Sequence, residues 1–266
     1  MELLRAAALV GLAGCFSPAG RDCAVTCAAG GDCPHGYVCL ADRYCHTSSA
    51  DPLCNLPDAA PQVTTTELEA EADTYVLELN ALDNYGGDVA IAVDATAGSM
   101  RVSLLRFDLT AIPDDRVLAV PPVLRLCTTD APSTTGAVEI YRVLERWSEG
   151  LGVRQPDETG SPGVANWTDR MAGTPWTNIG IGAPTSREPT AATVSGATMP
   201  VTAPSTSVQV EILPEIVDAW RADDATNFGL ALLPAAGTDR GLLVARESPD
   251  TTCRPTLVVT HAAPGG

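Results

Sequence analysis

The stretch from Ser103 to Cys127, SLLRFDLTAIPDDRVLAVPPVLRLC, constrains the fold more than any other. It reads as strand, turn, strand. Leu104, Leu105, Phe107 and Leu109 are apolar, with Arg106 and Asp108 between them. Ile112-Pro113-Asp114-Asp115 supplies turn chemistry, because proline fixes φ and aspartate bonds its own backbone. Val123, Leu124 and Leu126 begin a second strand. The change of parity at Leu104-Leu105 implies burial on both faces or a bulge. Two neighbouring strands with no helix between them point to an all-β domain.

The chain on either side extends that reading. Glu67 to Ala72, Val89 to Val93, Val138 to Val143 and Val208 to Ile212 alternate at strand period, and three more strand candidates lie at 229–233, 241–246 and 256–261. A single short helix is predicted over Leu213 to Trp220, with Pro214 in its first turn and Ile216, Val217 and Trp220 on one face. Short strands separated by turn signals are the pattern of a jelly-roll β-sandwich. Residues 148–207 read as irregular, and so long a stretch without elements is either functional or loosely ordered.

Upstream of residue 66 the chain changes character. Residues 1–14 hold a short apolar run ending Leu12-Ala13-Gly14-Cys15. The run is too short to span a bilayer but fits a signal peptide. Its end resembles the lipobox of bacterial lipoproteins, which implies lipidation of Cys15 and stable anchoring through several acyl chains. Residues 15–54 form a cysteine-rich module, with Cys23, Cys27, Cys33, Cys39, Cys45 and Cys54 separated by little that could be buried. A module so small needs staples, and disulfides are expected; His35 and His46 raise a zinc alternative. Residues 55–65 read as a linker and 66–262 as the sandwich. The remaining pair, Cys127 and Cys253, is expected to be bridged as well, since nine cysteines imply an oxidising compartment.

Charge narrows the partners. Acidic residues number 33 and basic residues 16, all of them Arg, for a net charge of −17. Nucleic acid and anionic lipid both need a basic footprint, so neither is expected as a ligand, and membrane contact is expected through the anchor only. Asp73, Asp88, Asp114 and Asp115 are weak candidates for a structural calcium site, and no other cofactor is expected.

A family resemblance rests on an ordered set of motifs. Leu104-Leu105-Arg106-Phe107-Asp108-Leu109 with Ile112-Pro113, Tyr141-Arg142-Val143 leading to Trp147, Asn166-Trp167, Val217-Asp218-Ala219-Trp220, Asn227-Phe228-Gly229-Leu230, Ala245-Arg246-Glu247-Ser248 and Pro255-Thr256-Leu257 follow one another. In that order they resemble the DNRLRE domains, which overlap with carbohydrate-binding module family 96. The resemblance spans about residues 66 to 262 and implies a jelly roll on a secreted or surface-anchored bacterial protein. Some members bind acidic polysaccharide such as alginate. The shortage of cations here favours a neutral glycan over a uronate polymer.

Trp167 and Trp176 lie in the irregular stretch and are the candidate sugar platforms, with Asn166, Asp169 and Arg170 beside them to bond hydroxyls. Trp147 and Trp220 read as core residues. Arg106 and Arg246 are expected to pair with carboxylates such as Asp108 and Glu247. No nucleophile elbow, metalloprotease helix or phosphate loop is present, so no enzyme is expected. The expectation is a monomeric bacterial lipoprotein at the outer membrane or cell surface that binds extracellular polysaccharide. Adhesion through protein contacts is the alternative.

Overall fold

The computed structural model describes residues 27, 32–33, 35–41, 44–48, 63–130, 136–154, 161–162 and 164–264. Cys15, Cys23 and Cys54 lie outside the described residues, as do the signal segment and residues 55–62 of the linker, whose residues 63–65 belong to a strand. The chain divides into two units after Ala60.

In the first unit a two-stranded ribbon pairs Val38–Cys39 with Cys45–His46. Two disulfides staple it, Cys27 to Cys39 and Cys33 to Cys45, with Cα separations of 5.8 and 5.7 Å. These four thiols are therefore committed to bridges and not to zinc.

The second unit is all-β, with one α-helix among the described residues. Its principal elements are β1 (Val63–Leu77), β2 (Ala90–Val93), β3 (Arg101–Phe107), β4 (Val123–Cys127), β5 (Ala137–Val143), β6 (Arg187–Ala191), β7 (Ser207–Glu211), α1 (Pro214–Ala222), β8 (Leu230–Pro234), β9 (Gly241–Val244) and β10 (Thr256–Ala262). The main sheet runs β6-β5-β8-β3-β1-β10-β4-β7, antiparallel throughout. A separate pair joins β9 to β2.

β1 is the corner of this sheet. Its first half, Val63 to Glu69, pairs with β10, and its second half, from Ala70 to Leu77, pairs with β3. The sheet curls there into two facing layers. Leu68, Leu124, Leu126, Leu257 and Val259 from one layer meet Tyr75, Leu105, Phe107, Ile140, Leu230 and Leu232 from the other in one core. The strands at either end of the Ser103 to Cys127 stretch thus do not pair as neighbours; they face each other across that core. Helix α1 adds Ile216, Val217 and Trp220, all buried, as its spacing predicts.

The layer made by β6, β5, β8, β3 and the end of β1 is covered on both sides. Leu105 and Phe107 face the inner core, whereas Val102 and Leu104 face a second cluster with Ala72, Val76, Val143 and Ala231. Trp147, Ala165, Trp176 and Ile181 lie over that outer face. Residues 148–207, read as irregular from the sequence, therefore supply Ala165, Trp176 and Ile181 to this cover. They also hold β6 and the short ribbon of Asp169–Met171 with Thr174–Pro175. The opposite layer stays open to water on its outer side, where Glu67 pairs with Arg125 and Glu69 with Arg254. Half-covered strands alternate and doubly covered strands do not, which is why β7 and β3 look so different.

Cys127, at the end of β4, is bridged to Cys253, with Cα atoms 5.3 Å apart and a sequence separation of 126.

A charged cavity beside the strand bulge

The candidate site grows out of one irregularity in β1. Ala70 pairs with Phe107 and Ala72 with Arg106, so Glu71 is an extra residue, a β-bulge. A bulge re-aims side chains, and here it shifts the inward set from Leu68 and Ala70 to Tyr75 and Leu77. Glu71 itself is turned outward, and its carboxylate meets Arg106 Nε. Arg106 lies over the Trp147 ring, 5.3 Å from its centroid, and Nη1 donates to the Trp147 carbonyl at 3.2 Å. Trp147 in turn donates from Nε1 to the Phe228 carbonyl at 2.8 Å.

These contacts frame a cavity of about 450 Å³, lined by Glu71, Arg106, Arg146, Asp224, Asn227 and Phe228. That is the size of a small-ligand pocket. Phe228 is half-buried; Asn227 is 6% exposed, donates from Nδ2 to the Phe107 carbonyl at 2.8 Å, and leaves its Oδ1 without a partner. Gly229 makes the arrangement possible. It has φ of +79°, and a Cβ there would lie 2.0 Å from the Leu105 carbonyl oxygen. The lining carries two guanidiniums and two carboxylates, so its formal charges cancel.

Next to the bulge, Asp73, Glu149 and Glu247 converge. Asp73 is 1% exposed, and its Oδ2 accepts from the Arg246 amide at 2.7 Å. The Asp73 amide donates to Glu149 Oε1 at 2.7 Å. Arg246 reaches Glu149 Oε2 at 3.0 Å through Nη1 and Glu247 Oε1 at 3.3 Å through Nε. Burial pushes the Asp73 carboxyl up to about 8, aided by the charges of Glu247 and Glu149 and opposed by the Arg246 amide and guanidinium. Burial likewise raises Glu149 and Glu247.

Asn84 holds the segment carrying Glu149 in place. It is fully buried, donates from Nδ2 to the carbonyls of Glu149 and Ala165, and accepts at Oδ1 from Gly86 and Gly152.

The sites expected from the sequence are distributed differently. Trp176 is 2% exposed with its Nε1 bonded to the Asn166 carbonyl at 2.9 Å, so its face is closed to a sugar. Asn166 is 2% exposed, and its Oδ1 accepts from the Thr168 and Asp169 amides at 2.9 and 2.7 Å. Both are anchors of the outer layer and are corrected as ligand contacts. Trp167 is half-buried, packed so closely on Gly180 that a Cβ there would lie 2.5 Å from its ring. Asp169 is half-buried in the short ribbon, and Arg170 donates to the Arg146 carbonyl at 2.8 Å. Of the calcium candidates only Asp73 joins a cluster. Asp114 and Asp115 are exposed turn residues, and Asp88 lies 3.8 Å from Arg154, so the expected foursome is not brought together. Arg246 pairs with Glu247 as expected, but Arg106 pairs with Glu71 in place of Asp108, which caps its own turn by accepting from the Thr110 amide.

Sequence reasoning missed Glu71, Arg146, Asp224 and the Asp73–Glu149–Glu247 convergence. One signal was available: an inward set that changes parity between Ala70 and Tyr75 requires a slipped residue between them.

Residues 64–151 match the model of carbohydrate-binding module family 96. The match covers a third of the chain, from β1 to the loop after Glu149, and the chain is similar to that family there, which supports a carbohydrate-binding role. Glu71, Asp73, Arg106, Arg146 and Glu149 all fall inside it. No curated protein matches the chain.

Proposed function

We propose that the sandwich binds extracellular carbohydrate without turning it over, in the cavity between the β1 bulge and Phe228. One observation carries this reading. A half-buried aromatic ring, that of Phe228, lines the cavity together with the guanidinium of Arg146 and the carboxylate of Asp224. A sugar offers an apolar C–H face for such a ring and hydroxyls for such donors and acceptors. The similarity of residues 64–151 to a carbohydrate-binding family points the same way.

A neutral glycan suits the cavity better than a uronate. Glu71 and Asp224 would repel a carboxylate, and Arg106 already serves Glu71. The protein acts as a monomer, held at the outer membrane or cell surface by lipid on Cys15 and spaced from it by the cysteine-rich module. Cys15→Ser should then release it from membranes.

The test is affinity electrophoresis of the full chain through gels holding neutral or uronate polysaccharides. Retardation by a neutral polymer, with no release of reducing ends, is expected. Arg146→Ala should weaken it at least tenfold with the melting temperature little changed; Phe228→Ala should weaken it as much, with a lower melting temperature because the ring also packs on the second cluster. Retardation by none of the polymers, or retardation untouched by both substitutions, would reject the cavity as the site.

A further inference from the structure

We propose that Asp73, Glu149 and Glu247 bind a divalent cation, calcium by the chemistry of the donors. Each residue places a carboxylate oxygen within 4.8 Å of the other two. Calcium holds oxygens at about 2.3–2.6 Å, so ligands on opposite sides of the ion are separated by about that span. The set is all oxygen, with no histidine or thiol, which suits a hard cation and not zinc or copper.

The second observation concerns partners. Asp73 Oδ1 and Glu247 Oε2 are buried with no donor group of the protein to meet either, and the two side chains lie within hydrogen-bond reach of each other. Asp73 as a whole is 1% exposed. A buried carboxylate oxygen without a donor is costly unless a proton or a metal meets it. Two backbone amides already serve the cluster, that of Arg246 at Asp73 Oδ2 and that of Asp73 at Glu149 Oε1.

Charge leads to the same conclusion. Three carboxylates face one guanidinium inside the cluster, that of Arg246. Arg106 acts on Glu149 and Arg254 on Glu247 from outside, but each is already paired, with Glu71 and Glu69 respectively. Two negative charges are left over, which one divalent ion cancels.

The three ligands come from β1, from the segment after Trp147 and from the turn after β9. An ion among them ties the outer layer and the β9 turn to the corner strand. It would act on stability through binding to the folded state alone.

Isothermal titration of the full chain with calcium chloride, after stripping with a chelator, tests this. Binding of one ion per chain and a rise in melting temperature are expected. Glu247 is half-buried, so Glu247→Gln should fold; it should weaken binding at least tenfold and reduce the thermal shift. Glu149→Gln should behave alike. Absence of both heat and thermal shift at about 10 mM calcium, beyond the weak extracellular range, would overturn the proposal. Equal binding by both variants would overturn it too, by placing the ion elsewhere.

Discussion

Arg106 stands over Trp147 with its guanidinium 5.3 Å from the ring centroid, and so joins the sheet to the layer that covers it. The same guanidinium bonds the Trp147 carbonyl and the Glu71 carboxylate. The ion pair is partly solvated and contributes little, so the stack and the fork geometry matter more. Arg106→Lys keeps the charge and loses both. A loss of about 1 kcal/mol is expected in urea unfolding, mostly from the cation–π contact. A Lys variant as stable as the parent would show that charge alone suffices.

Leu104 and Leu105 point to opposite faces of β3, and both are 0% exposed. Truncating either to Ala should cost about 2–5 kcal/mol. On a sheet with one wet face, only Leu105 would be expensive. Equal destabilisation, measured by denaturant unfolding, therefore checks that the segment after Trp147 packs as a layer. A cost under about 1 kcal/mol at Leu104 would contradict it.

Strand period made β3, β4, β5, β7, β10 and the helix legible, because each is a local pattern of apolar spacing. Leu104-Leu105 even announced the second buried face, although not what covers it. The cover is built from Ala165, Trp176 and Ile181, isolated apolar residues in Gly, Pro and Thr surroundings with no period to read. The cavity was illegible for a related reason. Glu71, Arg146, Asp224 and Phe228 are brought together by one bulge and one positive-φ glycine, and although the parity change beside Glu71 marks the bulge, no local pattern places the four together. The paired tryptophans misled because aromatic content in a loop says nothing about burial until the loop is seen to have a floor.

Cys127 and Cys253 close 126 residues, and loop entropy grows with the length closed. Chain-entropy reasoning gives roughly 4 to 5 kcal/mol for such a bridge. Cys127→Ser with Cys253→Ser should lower stability by that order in denaturant titration. The slope should also steepen, because the unfolded chain then expands further. An unchanged midpoint would mean the bridge strains the folded state as much as it restrains the unfolded one.

Asp73 sets a pH dependence of unusual sign. Its carboxyl rises from an ordinary value of 3.8 to about 8 in the folded chain, chiefly through burial. Between those values the folded state holds a proton that the unfolded state has lost. Stability from this group is therefore complete below about pH 4 and is lost as pH rises toward 8. Glu149 and Glu247, also raised, act in the same direction. Glu67, lowered by its hydrogen bond to Arg125, acts oppositely and matters only in acid. Melting temperatures in chelator should thus decline from about pH 4 to pH 8. Asp73→Asn preserves the shape of the neutral acid and carries no charge to desolvate. At about pH 8 it should melt higher than the parent, and the two should converge below about pH 4. Calcium should flatten the decline in the parent and leave Asp73→Asn unmoved. A parent that melts at the same temperature across that range would show that Asp73 is ionised in the folded chain.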